Sequence, residues 1–206
     1  MSYSNSLSQS NKWPVYLPLY GKKGFVFGNV AFDSTQTSSD ASCTGMLWFR
    51  PAGVTSPKLY LAGWPAGITT DFVASKFIPT GLVNTATVLG AGATGAVNAA
   101  TANITITTAD GGLTAATSNQ GSLSALNKIT VLGPSALSSG ATNLKFAFTA
   151  STGTFAGSFM HQVSSKVVTF GGVVYQKTKT GSGYFLYLPL TAPTGASSGS
   201  VGVSAP

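Results

Sequence analysis

No window of about twelve residues in this chain repeats its apolar positions at the helical period of 3.6. Apolar and alternating runs are instead short, and clusters of Gly, Pro, Asn and Ser cut them apart. That pattern specifies strands joined by turns. Candidate strands fall at residues 13–19, 24–32, 45–50, 58–62, 71–77 and 83–89 in the first half. The second half adds 103–108, 128–132, 143–149, 153–160, 166–176, 183–190 and 199–204. In Leu144-Lys145-Phe146-Ala147-Phe148 the apolar side chains at 144, 146 and 148 share one face. The expected fold is all-β: an antiparallel β-barrel or a two-sheet β-sandwich of about 10–14 strands, almost free of helix. Residues 1–12 are expected to be disordered or weakly ordered and residues 13–206 to form one all-β module. The stretch 51–81, with Pro51, Pro57, Pro65 and Pro79, reads as a loose wrap over the sheet.

Chemistry-bearing side chains are scarce. There is no glutamate, and the acidic residues are Asp33, Asp40, Asp71 and Asp110. One histidine, His161, and one cysteine, Cys43, complete the supply. Charged residues are 7% of the chain, against roughly 25% in an ordinary soluble domain. The reading is that the chain is not an enzyme and takes no cofactor or metal. The net charge of +7 suggests a polyanion partner. Yet the lysines are scattered singly apart from Lys22 and Lys23, and Arg50 is the one arginine, so no nucleic-acid surface is expected. No apolar run approaches the ~18 residues of a membrane span. Cys43 cannot form an internal disulfide and reads as a small buried residue.

Two catalytic or cofactor patterns occur. Gly90-Ala91-Gly92-Ala93-Thr94-Gly95 matches a dinucleotide fingerprint, with Asp110 at a fitting distance. The helix whose N-terminus should face the pyrophosphate has no sequence support, so a Gly/Ala-rich connection is the reading. Gly195-Ala196-Ser197-Ser198-Gly199 matches a nucleophile elbow but lacks the helix that should follow it. His161, at the end of a strand, is expected to be solvated or hydrogen-bonded, and its replacement by alanine to cost under about 1 kcal/mol. Asn103-Ile104-Thr105 is a glycosylation sequon set inside a strand. Tyr-Leu-Pro-Leu occurs at 16–19 and again at 187–190, and a mid-run proline confines each copy to an edge, a bulge or a strand end. The two copies either occupy related positions in two halves of one architecture or recur by chance.

Phe155, Phe159, Phe170, Val173 and Tyr175 are expected to share one core, with Gly157 leaving room for a partner side chain. The aromatics carry the one live binding reading. Trp48, Tyr60 and Trp64 are the candidate ligand residues, since exposed indole and phenol faces stack on sugars. The competing reading is that these rings fill the core.

Ordered motifs in the second half carry a resemblance. They are Gly153-Thr154-Phe155-Ala156-Gly157-Ser158-Phe159, then Lys166 to Phe170 with Gly171-Gly172-Val173-Val174-Tyr175-Gln176-Lys177. Gly183-Tyr184-Phe185-Leu186 and Ser198-Gly199-Ser200-Val201 follow. Together they resemble the β-rich modules near the C-termini of very large secreted or surface proteins of planctomycete and verrucomicrobial type. Trp13-Pro14-Val15-Tyr16 and Tyr20-Gly21-Lys22-Lys23-Gly24 are similar to the opening strands of that family. Residues 187–198 form a longer insertion than the family pattern has. The resemblance implies an extracellular or cell-surface, non-enzymatic module of structural or adhesive kind, cut from a longer exported chain. The implied partners are further copies or neighbouring modules, with polysaccharide as the alternative.

Overall fold

The computed structural model describes residues 4–55, 59–79, 87–90, 102–134, 140–188 and 197–205. The chain divides into two compact units, Met1–Lys76 and Phe77–Pro206. Among the described residues the regular structure is twelve strands and one 3-10 turn, Gln176–Thr178. The all-β expectation holds.

The first unit is a four-stranded antiparallel sheet in chain order: β1 (Lys12–Leu19), β2 (Gly24–Phe32), β3 (Ala41–Arg50) and β4 (Trp64–Ala74). Its core face carries Val15, Val30, Ala41, Cys43 and Met46, with Trp13, Leu17, Val26 and Phe72 packed around them. Cys43 is a free, buried thiol in that cluster. β4 corrects the reading of residues 51–81 as a loose wrap. Pro65 and Gly67 disguise a strand that pairs with β3 over most of its length. Residues 59–62, expected to be strand, are instead a turn in which Tyr60 has φ 55° and its carbonyl accepts the Gly63 N–H at 2.8 Å.

The second unit is an eight-stranded, nearly closed, barrel-like antiparallel sheet. Its strands are β5 (Ile104–Asp110), β6 (Thr117–Leu123), β7 (Ile129–Pro134), β8 (Thr142–Thr149), β9 (Thr154–Met160), β10 (Val167–Tyr175), β11 (Thr180–Tyr187) and β12 (Ser197–Ser204). The order β7-β6-β5-β12-β11-β10-β9-β8 is chain order read around a circle. First and last strands, β5 and β12, form a full ladder, so the seam falls between β7 and β8. Asn119 on β6 bridges it: its Oδ1 accepts the Ala141 N–H at 2.8 Å and its Nδ2 donates to the Ala141 carbonyl at 3.4 Å.

An eight-stranded barrel has an interior just wide enough for side chains to fill. Here Phe146, Phe155, Phe159, Phe170 and Phe185 fill it, with Ile106, Leu123 and Val201. The turn at residues 87–90 adds Val88 and Leu89, both fully buried. The rings fit because glycines face them across the ladder. Phe155 pairs with Gly172, Phe170 with Gly157, and Phe185 with Gly199. A Cβ on any of those glycines would collide with the facing ring. Gly157 therefore makes the room expected of it.

The expected core needs one correction. Phe155, Phe159 and Phe170 are buried, but Val173 is 46% exposed and Val174 is inside. Strand alternation from Phe170 runs through Gly172 to Val174, so the inward set has the opposite parity to Val173 and Tyr175. The two Tyr-Leu-Pro-Leu copies are not equivalent. Tyr16 lies on an edge strand and is 48% exposed. Tyr187 ends an inner strand and is buried. Pro189 and Leu190 fall outside the described residues.

Candidate functional site

The three candidate ligand residues do meet, at Trp64, which also packs on a cation. Trp48 on β3 and Trp64 at the start of β4 lie edge to face, with centroids 4.8 Å apart and planes at 79°. Tyr60, from the turn before β4, meets Trp64 at 6.0 Å and 63°. Arg50, buried at the end of β3, lies 4.9 Å from the Tyr20 ring and 5.6 Å from the Trp64 ring. One of its nitrogens, Nη2, donates to the Val54 carbonyl at 3.0 Å. A buried guanidinium needs compensation, and the aromatic faces provide it through their quadrupoles. The Trp48 indole N–H donates to the Tyr20 hydroxyl at 3.0 Å. The Trp64 indole N–H is buried and finds no acceptor among the described residues. Tyr60 is 41% exposed, while both tryptophans are half-buried. The rings are inclined to one another and form no flat row.

The scarce polar groups are engaged in holding loops and strand ends. Asp33 accepts the Thr35 N–H and hydroxyl at 3.0 and 2.6 Å. Asp40 accepts the Lys76 N–H at 2.6 Å and the Ser75 hydroxyl at 3.2 Å. It lines a depression of about 550 Å³ with Asn11, Phe32, Ser34 and Lys76. Asp71 accepts the Gly45 N–H at 2.9 Å. Asp110 ends β5 with φ 60°, and its carbonyl accepts the Leu113 N–H at 3.0 Å.

Amide side chains take over ladder positions, because an amide offers a donor and an acceptor side by side as a strand residue does. Asn103 pairs with both main-chain groups of Leu123 at 2.7 and 3.0 Å. The sequon asparagine thus has its amide committed. Gln176 does the same with Ile78 at 2.8 and 3.0 Å. Gln162 accepts from Thr114 and Ala115.

His161 is hydrogen-bonded, one of the two states expected of it, but it does not lie at the surface as its low expected cost of replacement assumed. It is fully buried. Its Nδ1 accepts the Val163 N–H at 3.3 Å, so Nε2 carries the proton that bonds the Gly111 carbonyl at 3.0 Å. The ring stacks on Tyr187 with centroids 3.9 Å apart and planes within 3°. The β5–β6 turn and the end of β11 cover this strand end, and neither is adjacent to it in sequence.

Of the dinucleotide-like motif only Gly90 is described. It closes a turn onto Thr87, and residues 91–95 lie outside the described residues. Ser197 and Ser198 lie in β12, paired with Tyr187 and Leu186. A nucleophile elbow needs a strand-to-helix turn there. Among the described residues no three of His, Cys, Asp and Glu come together. No helix among them is long and apolar enough to cross a membrane.

One feature was missed at the sequence level. The outer face of the four-stranded sheet is also apolar. Tyr16 and Phe27 oppose each other on β1 and β2, 48% and 45% exposed. Phe27 in turn opposes Leu47, and Phe25 opposes Phe49. Tyr16, Phe25 and Phe49 stack in series at 5.5 and 5.4 Å, with planes 26° apart at each step. The signal was available in Phe25-Val26-Phe27, which is apolar on both faces of a strand. Comparison of the chain with known protein families, with curated proteins and with solved structures finds no match.

Proposed function

We propose that this chain is a non-enzymatic, extracellular structural or adhesive module that works by contact through the outer face of its four-stranded sheet. The observation that carries the reading is the exposed apolar strip of Tyr16 and Phe27, with Phe25, Leu47 and Phe49 beside it. An exposed apolar patch of this kind marks an interaction surface. The placement of the carboxylates in strand-end hydrogen bonds supports the same reading, as does the motif resemblance to surface-protein modules. The alternative is carbohydrate binding at Trp48, Tyr60 and Trp64. Their convergence favours it, but their inclined planes and the guanidinium packed on Trp64 suit a packed cluster better than a sugar platform.

The test is bead aggregation beside a glycan array. Beads coated with the chain should clump, and Tyr16→Ser with Phe27→Ser should sharply reduce clumping without lowering the melting temperature. Array binding that is lost in Trp64→Ala, with no clumping of the unmodified chain, would replace this reading with the carbohydrate one.

A further inference from the structure

The two edges of the four-stranded sheet are built differently. β1 carries Pro14 and Pro18 at positions of the same parity, and the Asn5 amide donates to the Pro14 carbonyl at 3.1 Å. That bond marks the outer side of β1, where the prolines offer no N–H. Proline at an edge blocks the addition of another strand. β4, the opposite edge, has no such guard over most of its length. Pro65 and the positive φ of Gly67 protect its first residues. From Ile68 to Ala74 there is no proline, glycine, lysine or arginine. The one charge, Asp71, is turned back onto the Gly45 N–H. Ile68, Thr69, Thr70, Asp71 and Val73 are all exposed, and β3 is the ladder partner among the described residues.

We propose that β4 pairs antiparallel with β4 of a second copy, across a two-fold axis through Thr70, to make one continuous eight-stranded sheet. The proposal rests on the contact-module reading and names its partner. A two-fold axis normal to the sheet keeps each face on its own side, so only residues of the same parity can oppose each other. With the axis at Thr70, threonine faces threonine, Ile68 faces Phe72, and Thr69 faces Asp71. These are an apolar pair and a hydroxyl–carboxylate pair, both favourable across strands. Moving the axis to Asp71 would set two carboxylates against each other. Moving it to Thr69 would oppose Ile68 to Thr70 and leave Asp71 facing Gly67. Copies of net charge +7 repel each other, and β4 brings no positive charge to the contact. Leu47 opposes Thr69 across the β3–β4 ladder, so the outer apolar faces of both copies would lie on the same side of the joined sheet.

Sedimentation velocity over a micromolar concentration series should show a concentration-dependent dimer. Thr70→Lys should leave a monomer with an unchanged melting temperature. In a Cys43→Ser background, Thr70→Cys should cross-link to a dimer under mild oxidation. Directly opposed residues have Cα atoms about 4.5–5.5 Å apart, within disulfide reach. Thr69→Cys, opposed to Asp71 rather than to itself, should cross-link far less. A monomer at every concentration, or cross-linking of Thr69→Cys as complete as that of Thr70→Cys, would overturn the pairing. If wild-type beads still clump through Tyr16 and Phe27 in that case, the contact reading stands and only the β4 pairing falls. If wild-type beads do not clump, the contact reading falls as well.

Discussion

Gly171 and Gly172 are neighbours on β10, and the same substitution should have opposite signs at the two positions. Gly172 points inward. A Cβ there would collide with the Phe155 ring and lie 2.5 Å from the Ser182 carbonyl oxygen and 2.7 Å from the Gly183 Cα. The ring is wedged among other phenylalanines, with Phe146 stacked on it at 5.0 Å. The other two obstacles are main chain of β11, so none can yield cheaply. Overpacking costs typically 1–3 kcal/mol when side chains give way. With backbone on one side, Gly172→Ala belongs at the top of that range, about 3 kcal/mol. Gly171 points outward, and a Cβ there would meet only the Phe155 carbonyl oxygen at 3.7 Å, an ordinary contact. Gly→Ala at a compatible site stabilises by about 0.4–1 kcal/mol through the unfolded chain. Urea unfolding followed by circular dichroism measures both, provided the m-value is unchanged. Equal destabilisation by the two variants, or a silent Gly172→Ala, would refute the glycine–phenylalanine packing of the barrel.

His161→Ala should cost about 2–4 kcal/mol, since it strands the Gly111 carbonyl and opens a hole beside Tyr187; a change under 1 kcal/mol in thermal or urea unfolding would contradict that placement. Asn119→Asp keeps the acceptor for Ala141 but sets a carboxylate against its carbonyl, so it should destabilise by about 2 kcal/mol or more. Faster hydrogen exchange at the Ala141 amide would locate the damage at the seam. Arg50→Ala should cost roughly 3 kcal/mol from lost packing and cation–π contact, with a red shift of tryptophan emission as Trp64 becomes wetter.

Much of the fold was legible because much of it is local. β1, β2 and β8 to β11 announce themselves by alternation and bounding glycines. β6 did not, because Thr117-Ser118-Asn119-Gln120-Gly121-Ser122-Leu123 is polar almost throughout. Its inward Thr117 and Asn119 work by hydrogen bonding, to Thr108 and across the seam to Ala141, and no hydrophobic pattern records that. The first part of β4 was hidden by Pro65 and Gly67, both tolerable on an edge strand. His161 was misread because the groups that bury it, Gly111 and Tyr187, are far from it in sequence. The aromatic cluster was found as a set, but the Arg50 packed against it was not. A buried cation within reach of rings leaves no mark on composition.

The charge balance and the exposed face make different predictions about how this chain holds its partners, and adhesion force against salt separates them. Two surfaces coated with the chain would be pulled apart by atomic-force microscopy at low salt and in molar salt. Screening shortens to about 3 Å at 1 M, which removes charge-mediated forces between the surfaces, the mutual repulsion of chains of net charge +7 among them, but leaves apolar contact intact. The account predicts adhesion that survives molar salt and falls sharply with Tyr16→Ser and Phe27→Ser. Adhesion that vanishes in salt, or that the double variant retains in full, would contradict it.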